Sequence, residues 1–500
     1  MKVTVQKLGI IQNAEFDLKP LTIFVGPNNT GKTWLAYTLA SILGTHGWHE
    51  YAQAYAANQI SSIYPPLDSA IEQLLTRGDT KIDLYDFADQ YGELYFNSVA
   101  NFARRWMKEF MSTQFSLFDD MDIVISLEEI KTTFLERVKK ASLRESVARK
   151  LVNVRKKSGD QIMYAYTSTE NNELITERLP AEDVKESLIR SVARVLHQSL
   201  YPQIHVFPTE RTAIVTFGLG SGKNNEKPFE NLEMAQEIIE TIEKTYHLKK
   251  VFQQLQELLK LNIREYIEKK PKVAIGPINY FIGMISNIFQ FGSKEIAKRE
   301  GVAKNDPTIQ SYLELAKVLE RDILAGTVAF STPEPDSRRD IFFQPAQNIS
   351  LEIPIASSMV KELSSLVLYL RYLAQPGDLL IIDEPEMNLH PVAQVKIIEF
   401  LSMLVNAGLH VLITTHSTYV IDHLVNLMDA HKHENQEEIA EKFLLERKDA
   451  FIAQDKVSVY EVTDSGEVKD ILDQDGVIHW QTFSDVTEYV QRVHFEFLGG

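Results

Sequence analysis

Apolar and polar residues alternate over positions 2–8, whereas positions 21–25 (LTIFV) are apolar without a break. The first pattern predicts a half-buried strand and the second a strand buried on both faces. WLAYTLASIL (34–43) follows with helical apolar spacing. Further short apolar strands are predicted in HVFPTERTA (205–213), in DLLIIDEPEMNLHP (378–391) and in HVLITTHS (410–417). ISLEIPI (349–355) alternates as a strand. Ser357 and Ser358 then cap a helix whose apolar positions recur through Leu373. Residues 326–347 read as two strands around a Pro-rich turn, and VSVYEVT with VKDIL reads as a hairpin around DSGE.

The long remainder, 45–200 and 228–325, reads as mainly helical, with aromatics scattered through 85–118 and helical periodicity over 229–270. The loop GLGSGKNNEK (218–227) reads as a flexible connector. The organisation expected is one α/β head with a mixed or parallel sheet, split by large insertions. Its first lobe is 1–45, a returning strand lies in 201–217, and its second lobe is 326–430. Mainly helical insertions fill 46–200 and 218–325, and an acidic helix and hairpin extension occupies 431–500. The strands at 21–25 and 379–383 are expected to be neighbours in one sheet.

Composition narrows the chemistry. The 500 residues contain no cysteine, which excludes disulfides, thiolate zinc sites, iron–sulfur clusters and cysteine nucleophiles. With 44% apolar and 24% charged residues the chain is an ordinary globular one. The alternating N-terminus does not resemble a signal peptide, and no run approaches the ~18 apolar residues of a membrane span. A cytoplasmic protein without membrane contact is expected. The net charge of −17 is uneven: residues 379–500 hold 22 acids and 8 bases, whereas 137–157 hold nine bases and the single acid Glu145.

Between the strand at 21–25 and the helix after it lies GPNNTGKT, which is G-x-x-x-x-G-K-[ST] in the strand-to-helix context that gives it meaning. Gly26 and Gly31 permit a tight turn that aims successive N–H groups inward. The helix N-terminus adds a positive dipole end, Lys32 adds a cation for the β/γ-phosphates, and Thr33 offers a hydroxyl to Mg²⁺. The nucleotide-binding set is therefore Gly26, Pro27, Asn28, Asn29, Thr30, Gly31, Lys32, Thr33 and Trp34, with ATP and Mg²⁺ as the implied cofactors. Such a loop needs a carboxylate at the end of a strand in the same sheet. Asp383 occupies that position, where ligands of open α/β sheets collect, and Glu384 beside it is a candidate base for the attacking water. His416, after another strand, is placed to touch a γ-phosphate or hold the water.

In this order the P-loop, D-E-P-E-x-x-L-H-P and T-T-H-S resemble the ABC-type ATPase heads of the SMC and OLD-nuclease groups. The resemblance covers about 1–45 and 325–425. It implies that Glu384 is catalytic together with His416 and Lys32, that Asp383 and Thr33 hold Mg²⁺, and that Glu386 and His390 lie in a D-loop facing a second subunit. It also implies a homodimer closed around ATP, within which a signature helix acts across the interface. Ser357, Ser358 and Lys361 are its candidates here, in a variant form, since Met359 stands where the group has Gly. P-T-E-R at 208–211 is similar to the P-A-E-R of OLD-like proteins, and Glu210 with Arg211 reads either as a structural ion pair or as a nucleotide sensor.

OLD proteins carry a TOPRIM nuclease, but Glu461, Asp464, Asp473 and Asp475 do not match its spacing. Only 39 residues follow Glu461, fewer than the ~100 of a small domain. The chain thus resembles the ATPase components of bacterial antiphage systems such as Septu and PARIS, which work with a separate nuclease or toxin-like effector. A RecF/SMC-like repair clamp and an ATP-locked scaffold with little turnover are the alternatives. The basic run Arg137, Lys139, Lys140, Arg144, Arg149, Lys150, Arg155, Lys156 and Lys157 reads either as a double-stranded DNA patch or as a solvated face pairing with acids. It lacks interleaved aromatics for stacking bases. A homo-oligomer beyond the dimer is also compatible with the sequence.

Overall fold

A hairpin of β1 (Lys2–Leu8) and β2 (Ile11–Asp17) opens the chain, followed by β3 (Leu21–Val25) and α1 (Lys32–Leu43). The computed structural model describes residues 1–113, 115–148, 151–168, 180–217, 276–290, 293–330, 341–345, 349–480, 489 and 492. Arg149, Lys150, the 218–227 connector, the 229–270 periodicity and the turn at 331–340 lie outside them.

The first insertion holds α2 (Thr45–Ala56), α3 (Pro65–Arg77), β4 (Asp79–Asp83), α4 (Leu84–Phe102), the one-turn α5 (Met107–Phe110), β5 (Asp122–Ser126) and α6 (Lys131–Lys140). It continues with β6 (Leu143–Val147), β7 (Val152–Lys156), β8 (Ile162–Thr167) and α7 (Ala181–Leu200). The chain then returns through β9 (Ile204–Phe207) and α8 (Arg211–Phe217). Beyond lie α9 (Gly276–Gln290), α10 (Ser293–Ala303), α11 (Pro307–Val318), β10 (Gly326–Phe330), β11 (Ile341–Pro345), β12 (Leu351–Glu352) and α12 (Ser358–Tyr372). The last part contains β13 (Leu379–Asp383), α13 (Pro391–Asn406), β14 (His410–Thr415), α14 (Thr418–Lys432), α15 (Gln436–Ala440), β15 (Val457–Val462) and β16 (Val468–Asp470).

Six strands form the central sheet in the order β16-β15-β3-β14-β13-β9. All its pairings are parallel except β15 with β16. Because strand side chains alternate between faces, the sheet separates two apolar cores. Leu21, Ile23, Val25, Leu380 and Ile382 enter one, and Phe24, Leu379, Ile381 and Leu412 enter the other. This is why the buried runs are continuous in sequence: both faces need apolar residues.

Four expectations change. The strands at 21–25 and 379–383 are not adjacent, because β14 pairs with both and lies between them. The first insertion is helical but also carries the antiparallel sheet β4-β8-β7-β6, and β5 extends the N-terminal hairpin as β2-β1-β5. Its strands are short and mixed in character, and their pairing supplies what local pattern does not. The 457–470 hairpin is an integral part of the head, with β15 running in register beside β3 from Val457↔Leu21 to Glu461↔Val25. Within 349–355 only Leu351–Glu352 is strand, since Pro354 lacks the N–H a ladder needs and a 3₁₀ turn follows at Ile353–Ile355. Among the described residues no helix is long and apolar enough to cross a membrane.

Candidate nucleotide site

The carboxyl ends of the parallel strands converge on one rim. Gly26 follows β3, Asp383 ends β13, His416 follows β14, and Pro208–Arg211 follow β9. The loop after β3 has the backbone its glycines predict. Gly26 has φ 147° and Gly31 φ 97°, while Asn29 takes the left-handed region at φ 65°. A Cβ on Gly26 would stand 2.3 Å from the Val462 carbonyl oxygen, so β15 approaches the loop too closely for any side chain. Lys32 begins α1, and its Nζ donates to the carbonyls of Gly26 (2.9 Å) and Pro27 (2.6 Å). Burial draws its pKa down, while Glu384, Asp383, Glu386 and Asp464 pull the other way. The ammonium is thus held within the loop, over the backbone that would cradle phosphate.

Asp383 is 1% exposed, and three hydroxyls donate to its carboxylate. The Thr33 hydroxyl donates to Oδ1 at 3.0 Å and also lies 3.2 Å from Oδ2, Tyr37 donates to Oδ2 at 3.1 Å, and Thr414 donates to Oδ1. Burial raises its pKa, and the donors from Thr414 and Thr33 offset part of that rise. The pairing of Thr33 with Asp383 is the hydroxyl–carboxylate set that suits a hard, oxygen-seeking cation such as Mg²⁺. Tyr37 was not singled out in the sequence. It lies one helical turn beyond Thr33 and so shares its face, which is the signal that finds it.

Glu384 occupies the left-handed region at φ 48°, a strained place for a residue with a side chain. Its N–H donates to the Thr414 carbonyl at 3.0 Å, and its Oε1 lies 3.2 Å from His416 Nδ1. Each charge favours the other: the contact with His416 lowers the Glu384 pKa, and the contact with Glu384 raises that of His416. Glu386 departs from the expected subunit-facing role. It is 3% exposed, and its Oε1 accepts from the Thr415 hydroxyl (2.5 Å) and the His416 N–H (3.1 Å). Burial pushes its pKa up. His390 is exposed and serves as N-cap of α13, accepting from the Val392 N–H at 3.4 Å.

Arg211 does not pair with Glu210. Its guanidinium is buried, with Nε 2.7 Å from Glu362 on α12. It donates to the carbonyls of Pro208 (2.9 Å), Asp383 (2.7 Å) and Glu384 (2.8 Å). Glu362 in turn accepts from Asn388, at 3.0 Å, in the turn after Glu384. A charge inside the apolar stripe of α12 is the sequence mark of this hub. At the head of α12, Ser357 is the N-cap, accepting from the Val360 N–H at 3.4 Å, while Ser358 is exposed and Lys361 half-buried.

The basic run does not act as a unit. Lys156 is 2% exposed, and its Nζ donates to the carbonyls of Lys139, Ala141 and Asp160. Its buried ammonium closes the end of α6 against β7 and faces no solvent. Arg137 is exposed, but its guanidinium is tied down by a hydrogen bond to the Leu200 carbonyl at 2.9 Å. Lys139, Lys140, Arg144, Arg155 and Lys157 remain exposed.

A parallel sheet whose rim joins a P-loop, a hydroxyl-bound aspartate and a Glu–His pair defines a P-loop ATPase. Comparison with known proteins gives the family: the chain belongs to the AAA ATPase domain family (AAA_15), whose profile matches residues 1–421. Among solved structures, it is similar to the Smc head domain with an extended coiled coil from Pyrococcus furiosus, bound to the C-terminal domain of ScpA. That match has 12% identity and TM-score 0.37, and covers 99% of this chain and 98% of the other. A second Smc head, bound to the C-winged helix domain of ScpA, matches with 10% identity and TM-score 0.35, covering 94% and 96%. No curated protein matches the chain.

Proposed function

We propose that this protein binds ATP with Mg²⁺, hydrolyses it, and uses the cycle as a switch. The observation that carries this reading is the Thr33–Asp383 hydrogen bond at 3.0 Å, next to the Glu384–His416 contact at 3.2 Å. Lys32 leaves the carbonyls of Gly26 and Pro27 to meet the β/γ-phosphates, and the N–H groups of Asn28 to Thr33 line the phosphate path. Thr33 and Asp383 would hold Mg²⁺, which would supply charge neutralisation on the phosphate oxygens. Glu384 takes the proton of the attacking water, and His416 fixes that carboxylate and senses the γ-phosphate.

Under the same proposal two copies close around the nucleotide, with Ser358 and Lys361 reaching the partner's phosphates. The turn through Asn388 and His390 faces the same interface. The switch is proposed to control a separate nuclease or toxin-like effector in antiviral defence. That part rests on the resemblance to the ATPases of Septu and PARIS.

The test is ATP turnover with binding measured alongside. Glu384→Gln is expected to lower turnover by about 10²–10⁴-fold while ATP still binds, as loss of a general base does. Lys32→Ala is expected to remove tight ATP binding. Unchanged turnover in Glu384→Gln would overturn the assignment of the base. Negligible turnover in the wild type, with tight ATP binding, would favour the locked scaffold.

A further inference from the structure

The four-stranded sheet of the first insertion has one face on helices and one in solvent. Ile82, Leu143, Val152, Val154, Met163 and Ala165 are buried, and the sheet packs on α3, α4 and α7. The opposite face carries exposed Tyr164 (48%) and Tyr166 (49%) on β8. The register sets a row across the strands: Lys81↔Tyr164, Tyr164↔Arg155 and Arg155↔Arg144. All four residues are exposed. A second row places Tyr166 opposite Asn153, and Asn153 opposite Ser146.

Two features of this face work against stability. Arg144 and Arg155 are direct cross-strand neighbours, a like-charge pair that a sheet tolerates only at a cost. Among the described residues neither has a carboxylate within ion-pair distance. The acid nearest in sequence, Glu145, turns to the other face, where it accepts from Ser191 and pairs with Arg194 at 3.0 Å. In addition, two large aromatic rings stand in water at i and i+2, about 7 Å apart on the same face. Lys156, by fastening the end of α6 to β7, brings Lys139 and Lys140 to the same end of the sheet as Arg155 and Lys157.

We propose that this face is a binding site for single-stranded nucleic acid. Tyr164 and Tyr166 are the stacking platforms for bases, and Arg155 and Arg144 meet the phosphates that run from β8 toward β6. Exposed aromatics interleaved with cations are the chemistry that holds single strands without sequence reading. A duplex keeps its bases stacked away from a flat sheet, and the Asp and Glu side chains of an acidic peptide offer no aromatic face to the tyrosines. On the β4 edge Asp79 and Asp83 are exposed, so the strand lies over β8, β7 and β6 and not across the whole sheet. The sequence concealed the site because the basic run and the tyrosines are in different strands and meet only through pairing.

The experiment is fluorescence anisotropy of a labelled oligo-dT with the full chain, with and without ATP, over a range of salt. Tyr164→Ala and Tyr166→Ala are each expected to weaken binding about fivefold or more, with the Phe variants retaining it. Arg144→Ala with Arg155→Ala should reduce the salt slope by about 1.4, since each phosphate contact contributes ~0.7 on single strands. These positions are exposed, and an unchanged thermal midpoint confirms that the variants fold. No binding of oligo-dT, or wild-type affinity in both Tyr→Ala variants, would overturn the proposal. Equal affinity for duplex DNA or for poly-glutamate would also overturn it, by reducing the face to a general polyanion or protein surface. None of these readings depends on ATP hydrolysis, so failure here leaves the ATPase proposal standing.

Discussion

Arg211 holds the backbone carbonyl of Glu384 at 2.8 Å, across 173 positions of sequence. The same guanidinium takes the Asp383 carbonyl at 2.7 Å, and its Nε lies 2.7 Å from Glu362 of α12. One buried cation therefore fixes both peptide units that present Asp383, the proposed Mg²⁺ ligand, and Glu384, the proposed base. It does so where Glu384 is held at φ 48°, a conformation that costs energy unless its surroundings compel it. Through Glu362 and Asn388, the turn after the base is also tied to the helix that begins at Ser358.

Arg211→Met strands Glu362 as a buried charge without its cation, and a loss of about 3–5 kcal/mol is expected in denaturant unfolding. Adding Glu362→Leu should restore much of that stability. It should not restore ATP turnover, which is expected to stay down on the order of 10²-fold because the two carbonyls still lack their donor. Recovery of turnover together with stability would show that Arg211 serves packing alone.

The Glu384–His416 pair sets a pH dependence. The His416 pKa is raised above 6.5 by Glu384, so its contribution to stability is fully present below pH 6.5 and fades as pH rises through the raised value. The Glu384 pKa is lowered below 4.5, so its contribution is present above pH 4.5 and is lost as pH falls through the lowered value. Both shifts therefore act together between about pH 4.5 and 6.5, where each group is predominantly charged. A ring-proton NMR titration should place His416 above 6.5 in the wild type. In Glu384→Gln it should fall, because burial then outweighs the remaining upward pull of Glu386. An identical titration in both proteins would refute the coupling.

Gly26→Ala and Gly31→Ala separate two uses of glycine. At Gly26 the new Cβ meets a backbone oxygen of β15 at 2.3 Å, whereas at Gly31 it meets the flexible Ile11 side chain at 3.0 Å. Both positions have positive φ and share that strain. The Gly26 variant should lose more thermal stability, of the order of 1–3 kcal/mol beyond its neighbour. Equal losses would mean that β15 yields freely and is not a fixed wall of the loop.

Much of the site can be read in the chain because its residues belong to local patterns. GPNNTGKT must turn between a strand and a helix, and Asp383 and His416 each follow a buried run whose end is visible in sequence. Local pattern also places Ser357 as a cap and the 457–470 segment as a hairpin. The partners of these residues are a different matter. Tyr37, Thr414 and Thr33 meet on one carboxylate only because β3, β14 and β13 lie in that order, and strand order is set by packing both faces of the sheet. Arg211, next to Glu210 in sequence, reaches past it to Glu362, since a buried guanidinium seeks a buried carboxylate and free carbonyls. Lys156 and Arg155 are adjacent and equally basic. The alternation of β7 buries the first as a cap on α6 and exposes the second beside Tyr164. The sequence determined which chemistry is present and on which local elements, because turns, caps and periodicity act over a few residues. Only the tertiary structure decided which charges are paired, which are buried and which face water, because those outcomes depend on contacts between separate elements, some of them hundreds of positions apart.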